Sequence, residues 1–300
     1  MKPILEFSSV SRSYKAGQPV LDRINLSMEP GEVLGLIGRN GAGKTTLIRL
    51  AMGMLYPEGG EVRLFGLSPT TDPIAVKKRV GYVAEDQVLP SGSTIAELIE
   101  FHRYLFPQWD ADLERSLLDR FSLPKGSKIG KLSKGQAREV ALLCAICHRP
   151  ELLILDEPAG GLDPAARRDF LEASIQLLNR EGTAILFSSH HMGDIERIGG
   201  RVVLLDDAAI LLDRQVAELR ENIFVAVVST AATTIRELSK LPGCLRARTM
   251  FDNLHAVIVG SETDVRTRIM AATGLGPNEF QCLPVPLEEL FIELVGGGRS

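Results

Sequence analysis

From Ile4 to Tyr14, ILEFSSVSRSY, and from Val20 to Gly38, VLDRINLSMEPGEVLGLIG, apolar and polar positions alternate. A period of two marks strands with one covered face, and turn signals at Ala16-Gly17 and Pro30-Gly31 divide them. The stretch EVLGLIG reads as a buried strand ending at a glycine-rich loop, and KTTLIRLAMGML as the helix after it. From Thr94 to about Leu123 the period becomes helical, in TIAELIEFHRYLF and then WDADLERSLLDRF. Next come a helix, GQAREVALLCAICH, a strand, ELLILDEP, and a helix, PAARRDFLEASIQLLNREG. A buried strand, AILFSSH, and a hairpin, RVVLLDDAAILLD, follow. Strands alternating with helices predict a parallel sheet covered by helices.

Past Arg220 the pattern changes. FVAVVS reads as a strand, TTIRELSKL as a helix, CLRART and HAVIVGS as strands, TDVRTRIMAAT as a helix, FQCLPV as a strand and LEELFIELV as a last helix. A β-α-β-β-α-β order predicts a small α+β ferredoxin-like unit. The expected division is 1–219 for the large domain, with a helical subdomain at about 86–150, and 220–295 for the small one. The tail, 296–300, reads as disordered. No Pro/Gly linker marks the boundary near Leu219–Glu221, so the two domains are expected to pack together.

Composition narrows the class. Three hundred residues suit one large domain plus a smaller one, with roughly 70–75% of the unfolded surface buried and no need of staples. The net charge of -4, with no block of Lys or Arg, argues against a nucleic-acid or anionic-lipid partner. Cys144 and Cys147 make a C-x-x-C, but inside an apolar helix, where free Cys packs as a small hydrophobe. Reduced thiols suit a cytoplasmic chain. The N-terminal MKPILEFSSV has no apolar signal core. The longest apolar run, Val140 to Cys147, falls well short of the ~20 residues a membrane helix needs. Any work at a membrane therefore needs another polypeptide to span it.

Three strings carry chemistry: GRNGAGKTT at Gly38–Thr46, LSKGQ at Leu132–Gln136 and LLILDEP at Leu152–Pro158. The first fits G-x-x-x-x-G-K-[ST] through Gly38, Gly43, Lys44 and Thr45. Backbone N–H groups of Asn40, Gly41, Ala42, Gly43 and Thr46 can surround β- and γ-phosphates, and the helix after them adds its positive end. Lys44 brings charge to the γ-phosphate and Thr45 a hydroxyl to Mg2+. In the third string Asp156, at the end of a strand, can hold a water on the metal. Glu157 beside it can orient and deprotonate an attacking water. The bland alternatives are a glycine-rich turn and a solvated acidic turn.

Together these strings resemble the nucleotide-binding subunit of ABC transporters. LSKGQ is similar to that family's LSGGQ signature, AGGLDP to its D-loop and LFSSH to its switch histidine, and the likeness covers about 4–215. It implies an α/β P-loop ABC ATPase domain: an antiparallel β subdomain, a parallel sheet with helices, and a helical subdomain. It implies ATP and Mg2+ as cofactors, and a site closed across a dimer, homodimeric or heterodimeric. Ser133, Lys134, Gly135 and Gln136 then belong to the signature, with Ser133 and Gly135 capping the γ-phosphate of the opposite chain. Carried over residue by residue, Tyr14 matches the aromatic that stacks on adenine, Asp163 the D-loop acid, and His190 the histidine at the γ-phosphate. His191 reads as an exposed neighbour.

Three positions depart from the family pattern. Lys134 replaces a glycine, Ala159 stands where a threonine is common, and Glu85 in GYVAED stands where a glutamine usually ligates Mg2+. Glu85, Lys134 and the closing PLEELFIELVGG look like the branch serving bacterial drug and antibiotic exporters. That implies a separate transmembrane permease and a place on the inner face of the membrane. The crowd of Phe101, Tyr104, Leu105, Phe106 and Trp109 reads as a local core or as a surface for a partner. The rival readings are an ATPase acting on nucleic acid or ribosomes, and an importer ATPase. The stretch between Lys44 and Ser133 is too short for the long coiled coil of repair-type members.

Overall fold

The computed structural model describes residues 2–15, 17–158, 182–285, 290 and 294. Strands β1 (Leu5–Lys15) and β2 (Gln18–Met28) pair antiparallel, and β4 (Gly59–Leu64) joins the other edge of β1. Leu5, Phe7 and Val10 of β1 face the core. The step from Phe7 to Val10 is not two because the ladder shifts there, around Ser9 at φ 51°. A bulge inserts one residue and lets the apolar face continue in a new frame.

The larger sheet has the order β5-β6-β7-β3-β8-β9. Its strands are β3 (Val33–Ile37), β5 (Val80–Val83), β6 (Leu152–Leu155), β7 (Ala184–Ser189), β8 (Arg201–Asp206) and β9 (Ala209–Gln215). The first five strands in that order run parallel, and β9 turns back as a hairpin. Every residue of β3, β6 and β7 is buried, which is why these strands read as unbroken apolar runs. Ile37 is in register with Ser189, and Leu155 with Phe187. The chain segments that begin at Gly38, Asp156 and His190 therefore leave the sheet at one edge, the carboxyl ends of the strands, where open α/β sheets bind ligands.

Helix α1 (Lys44–Ala51) follows β3, and α2 (Pro73–Lys77) precedes β5. The helical region holds α3 (Ile95–Leu105), α4 (Ala111–Arg120), a 3-10 turn at Ile129–Lys131 and α5 (Lys134–Ile146). Thr94 with Glu97, and Ser133 with Gln136, form reciprocal capping boxes that fix where α3 and α5 begin. The aromatic crowd divides. Trp109 packs on the core and donates Nε1–H to Glu114, while Phe106 stacks on His148 at 4.1 Å. Phe101, Tyr104 and Leu105 stay exposed. Buried Glu114 also accepts from Arg103 and Lys125. Burial opposes its charge, and these hydrogen bonds more than offset that, so its carboxyl stays below the usual range. Burial pushes the Cys144 thiol up to about 12, and the Cys147 thiol rises too, so both pack as neutral side chains.

After α6 (Met192–Ile198) and α7 (Val216–Glu221) the chain enters a second sheet. Its strands are β10 (Ile223–Ser229), β11 (Cys244–Met250), β12 (Asn253–Val259) and β13 (Gln281–Pro284), in the order β11-β12-β10-β13, all neighbours antiparallel. Helices α8 (Ile235–Leu238) and α9 (Glu262–Thr273) complete a β-α-β-β-α-β order. One face of the sheet, with Phe224, Ala226 and Ile258, packs on Leu238, Val265 and Ile269. The opposite face, with Ile223, Val225 and Val257, shares a core with Leu212, Val216 and Leu219 and with Leu290 and Leu294. The contact between the second sheet and the end of the first is thus apolar.

Local differences have local causes. The helix expected over TTIRELSKL is only Ile235–Leu238, because Pro242 disfavours helical backbone in the residue before it and cannot extend the helix. The strands GGEVRL and VGYV escape the pattern: the first opens on two glycines, and the second is only four residues long. The helix expected from Pro164 to Gly182 falls almost wholly outside the described residues, and so do the tail 296–300 and most of LEELFIELV.

Candidate active site

The loop after β3 is shaped by close approaches. A Cβ on Gly38 would meet the Leu205 carbonyl oxygen at 2.6 Å. Gly43, at φ 104°, would place one 2.9 Å from the Val20 carbonyl oxygen. Only glycine tolerates both demands. Gly43 caps α1 without a side chain, so the first-turn N–H groups have no intrahelical acceptor and form a ready anion site. Lys44 is buried and donates Nζ–H to the carbonyls of Gly38 at 2.7 Å and Arg39 at 3.3 Å. It also pairs with Glu157 Oε1 at 3.2 Å.

The acids on β6 are held from β7. Ser188 donates its hydroxyl to Asp156 Oδ1 at 2.7 Å and accepts the Glu157 N–H at 2.8 Å. Thr45 donates to the same Oδ1 at 3.3 Å. Asp156 Oδ2 is buried and has no hydrogen-bond partner among the described residues. Burial raises the Asp156 pKa, hydrogen bonds from Ser188 and Thr45 lower it, and Glu157 raises it again, with a net rise. Glu157 Oε2 accepts from His190 Nδ1 at 2.8 Å. Glu157 thus lies between Lys44 and His190.

A cavity of about 370 Å³ is lined by Tyr14 and Val20, by Arg39–Gly41 and Gly43–Thr46, and by Glu85 and Glu157. The Tyr14 ring is 55% exposed at its rim, with its hydroxyl 3.3 Å from Thr46 Oγ1. Burial raises the Glu85 pKa, with Asp156, Glu157 and Asp86 adding to the rise and Lys44 opposing it. Asp156, Glu157 and Glu85 bring three carboxylates close to one another at this end of the cavity. An unpartnered buried oxygen, a neighbouring hydroxyl and a nearby carboxylate are hard donors that fit Mg2+. Among the described residues no three His, Cys, Asp or Glu side chains cage a metal unaided.

The LSKGQ stretch lies elsewhere. Ser133–Gln136 form the start of α5, and none of them is among the described residues lining the Lys44 cavity. Lys134 instead borders a second cavity of about 420 Å³ with Glu85, Asp86, Gln87 and Arg138. Asp163 and Ala159 fall outside the described residues. His191 donates its N–H to Ser189 Oγ, and its exposed ring sits 4.0 Å from that of His190.

The ABC transporter family profile matches residues 21–160. The chain is 31% identical over 300 residues to the Nod factor export ATP-binding protein I of Sinorhizobium fredii, covering 97% of this chain and 86% of that one. The chain belongs to the ABC transporter ATP-binding family. The ABC transporter ATP-binding protein YtrB of Bacillus subtilis is 29% identical over 299 residues, 99% of each chain. A solved ATP-binding subunit of an ABC transporter superposes with a TM-score of 0.66 at 30% identity, covering 72% of this chain and 92% of that chain. This ABC protein is therefore an ATPase subunit, and no helix among its described residues is long and apolar enough to cross a membrane.

Sequence reasoning missed two residues of this ABC site, Ser188 and Arg138. Ser188 is fully buried at the end of an apolar strand beside Asp156, and a hydroxyl in such a run is the signal that could have found it. Arg138 is a lone cation on the last polar turn of α5 before an apolar run. It donates to the carbonyls of Glu157, Pro158 and Glu85. Burial lowers its pKa while Glu85, Asp86 and Glu157 act to raise it.

Proposed function

We propose that this ATPase powers an exporter, as a dimer in which two copies of the chain close over two ATP molecules and drive a separate membrane permease. The observation that carries the dimer is the placement of LSKGQ outside the cavity that holds Lys44. The loop, Asp156, Glu157 and His190 make one half of a site, and Ser133, Lys134, Gly135 and Gln136 make the other half for the opposite copy. Asp163 is proposed to link the two sites. Export is supported by the relatedness to a Nod factor export ATP-binding protein, which extends through the C-terminal residues beyond the family profile.

Within one half-site, Tyr14 stacks on adenine. The amides of Asn40–Thr46, together with Lys44, hold the β- and γ-phosphates. Thr45, Asp156 and Glu85 hold Mg2+, which when bound offsets the phosphate charge. Glu157 takes a proton from the attacking water, and His190 steadies that carboxylate. Hydrolysis opens the dimer because ATP binds the closed state better than its products do. Exposed Val88, Phe101, Tyr104 and Leu105, in and beyond the Glu85 loop, are proposed to meet the permease. The strand order of the second sheet supports a ferredoxin-like accessory domain at 220–295, after an ATPase domain at 1–219 whose helical subdomain spans about 86–150. The subunit then sits at the cytoplasmic face through its permease.

The test is to purify this chain with the membrane protein that accompanies it and to assay inside-out vesicles. ATP-dependent substrate accumulation that stops with Glu157→Gln is expected. Accumulation only in right-side-out vesicles energised from within would make the system an importer.

Glu85 gives a sharper check. A charged oxygen beside the metal binds it more strongly than an amide, but repels the γ-phosphate when the metal is absent. Glu85→Gln is therefore expected to tighten ATP binding in EDTA and narrow the gap between EDTA and Mg2+ conditions. Equilibrium binding under both conditions measures this, and an unchanged gap would remove Glu85 from the metal.

A further inference from the structure

The backbone of Glu157 is strained. Its φ of 45° lies in the left-handed region, which a glutamate rarely occupies and which persists only when neighbours enforce it. Ser188 Oγ takes its N–H from one side at 2.8 Å. Arg138 holds the other side: Nη1 donates to the Glu157 carbonyl at 3.0 Å and the Pro158 carbonyl at 2.5 Å, and Nη2 to the Glu85 carbonyl at 3.1 Å. No carboxylate pairs with Arg138 among the described ion pairs. A planar fork spent wholly on main-chain oxygens fixes positions and directions that a point charge cannot.

The three carbonyls belong to two segments, the end of β6 and the loop after β5. Arg138 itself is on α5, five residues past Ser133. One side chain therefore ties the LSKGQ helix to the base and to the Glu85 loop.

We propose that Arg138 is a positioning residue for hydrolysis, clamping the Glu157 and Pro158 carbonyls to that of Glu85 so that the Glu157 carboxylate is aimed only when α5 and the Glu85 loop are seated on the sheet. This rests on Glu157 being the base. It gives hydrolysis a mechanical dependence on α5. A shift of that helix on dimer closure, or of the Glu85 loop under a partner, reaches the catalytic carboxylate through one guanidinium.

The test uses the full-length chain with Arg138→Ala, Arg138→Gln and Arg138→Lys, each alone and combined with Glu157→Gln. Steady-state hydrolysis, single-turnover phosphate release and binding of a fluorescent ATP analogue are measured. Loss of aim costs about 10–10²-fold in kcat, with nucleotide affinity and KM nearly unchanged. Lysine, which keeps the charge and loses the fork, and glutamine, which loses both, are each expected to stay close to alanine. In the Glu157→Gln background the Arg138 substitutions are expected to add nothing, because the group they aim is gone. Full rescue by lysine would overturn the proposal in favour of simple charge neutralisation. An equal fall in both backgrounds, or weakened ATP binding, would overturn it as well. If Glu157→Gln alone hydrolyses ATP at the wild-type rate, it is the assignment of the base that fails.

Discussion

Glu157→Gln is expected to slow ATP hydrolysis by about 10²–10⁴-fold, the worth of a positioned general base, while ATP binding survives. Glutamine keeps the shape of the side chain and can still meet His190. It does not keep the charge that pairs with Lys44 at 3.2 Å. That pair is buried, and a phosphate entering the loop has to displace Glu157 from Lys44. Without the carboxylate, Lys44 is free to meet the γ-phosphate. Affinity should therefore hold or improve as turnover collapses, and the closed ATP-bound state should accumulate. Phosphate release and equilibrium binding on the same preparation read both. Turnover near the wild-type rate would exclude Glu157 as the base.

Ser133→Arg is expected to abolish hydrolysis and leave ATP binding to the single chain nearly unchanged. The serine is absent from the cavity lining, so its loss leaves Lys44, Thr45 and Asp156 in place. The arginine puts bulk where the opposite γ-phosphate has to seat. There is a second, smaller cost. Ser133 Oγ accepts the Gln136 N–H at 3.2 Å as half of the capping box on α5, and removing such a cap destabilises a helix by about 1 kcal/mol. A Ser133→Asp control keeps a capping oxygen and places a negative charge opposite the phosphate. It should restore the melting temperature and still fail to hydrolyse ATP. Recovery of hydrolysis with the aspartate would show that only the cap matters.

What the sequence made legible was the chemistry fixed by local spacing. Gly38, Gly43, Lys44 and Thr45 lie in or beside one loop, so their placement around one cavity or its backbone follows from order alone. Asp156 and Glu157 end an apolar strand, so their place at the sheet edge follows from the pattern. The contacts that cross between segments were not legible. Ser188 reaches Asp156 because β6 and β7 are neighbours in parallel register, and pairing of that kind leaves no trace in the residues between. Arg138 reaches the Glu157 carbonyl across nineteen positions, by way of the fold and not of a motif. Ser133 illustrates the same limit: the string LSKGQ resembles a signature, whereas the capping of α5 by this serine appears only in the hydrogen bonds. In the fold, longer amphipathic segments such as Ile95–Leu105 read correctly. The short strands at Gly59–Leu64 and Val80–Val83 have too few apolar positions to declare a period.

In the proposed dimer one ATP is held by Lys44 of one copy and Ser133 of another. Mixing a Lys44→Ala chain with a Ser133→Arg chain tests it most directly. Each is expected to be inactive alone. In a mixed dimer one interface joins two damaged halves, and the other joins an intact phosphate loop to an intact signature. Mixing is expected to restore hydrolysis, up to about a quarter of the wild-type rate if equal amounts pair at random and the single intact site works independently. Mixtures that stay as inactive as either chain alone, although mixed dimers are shown to form, would contradict it.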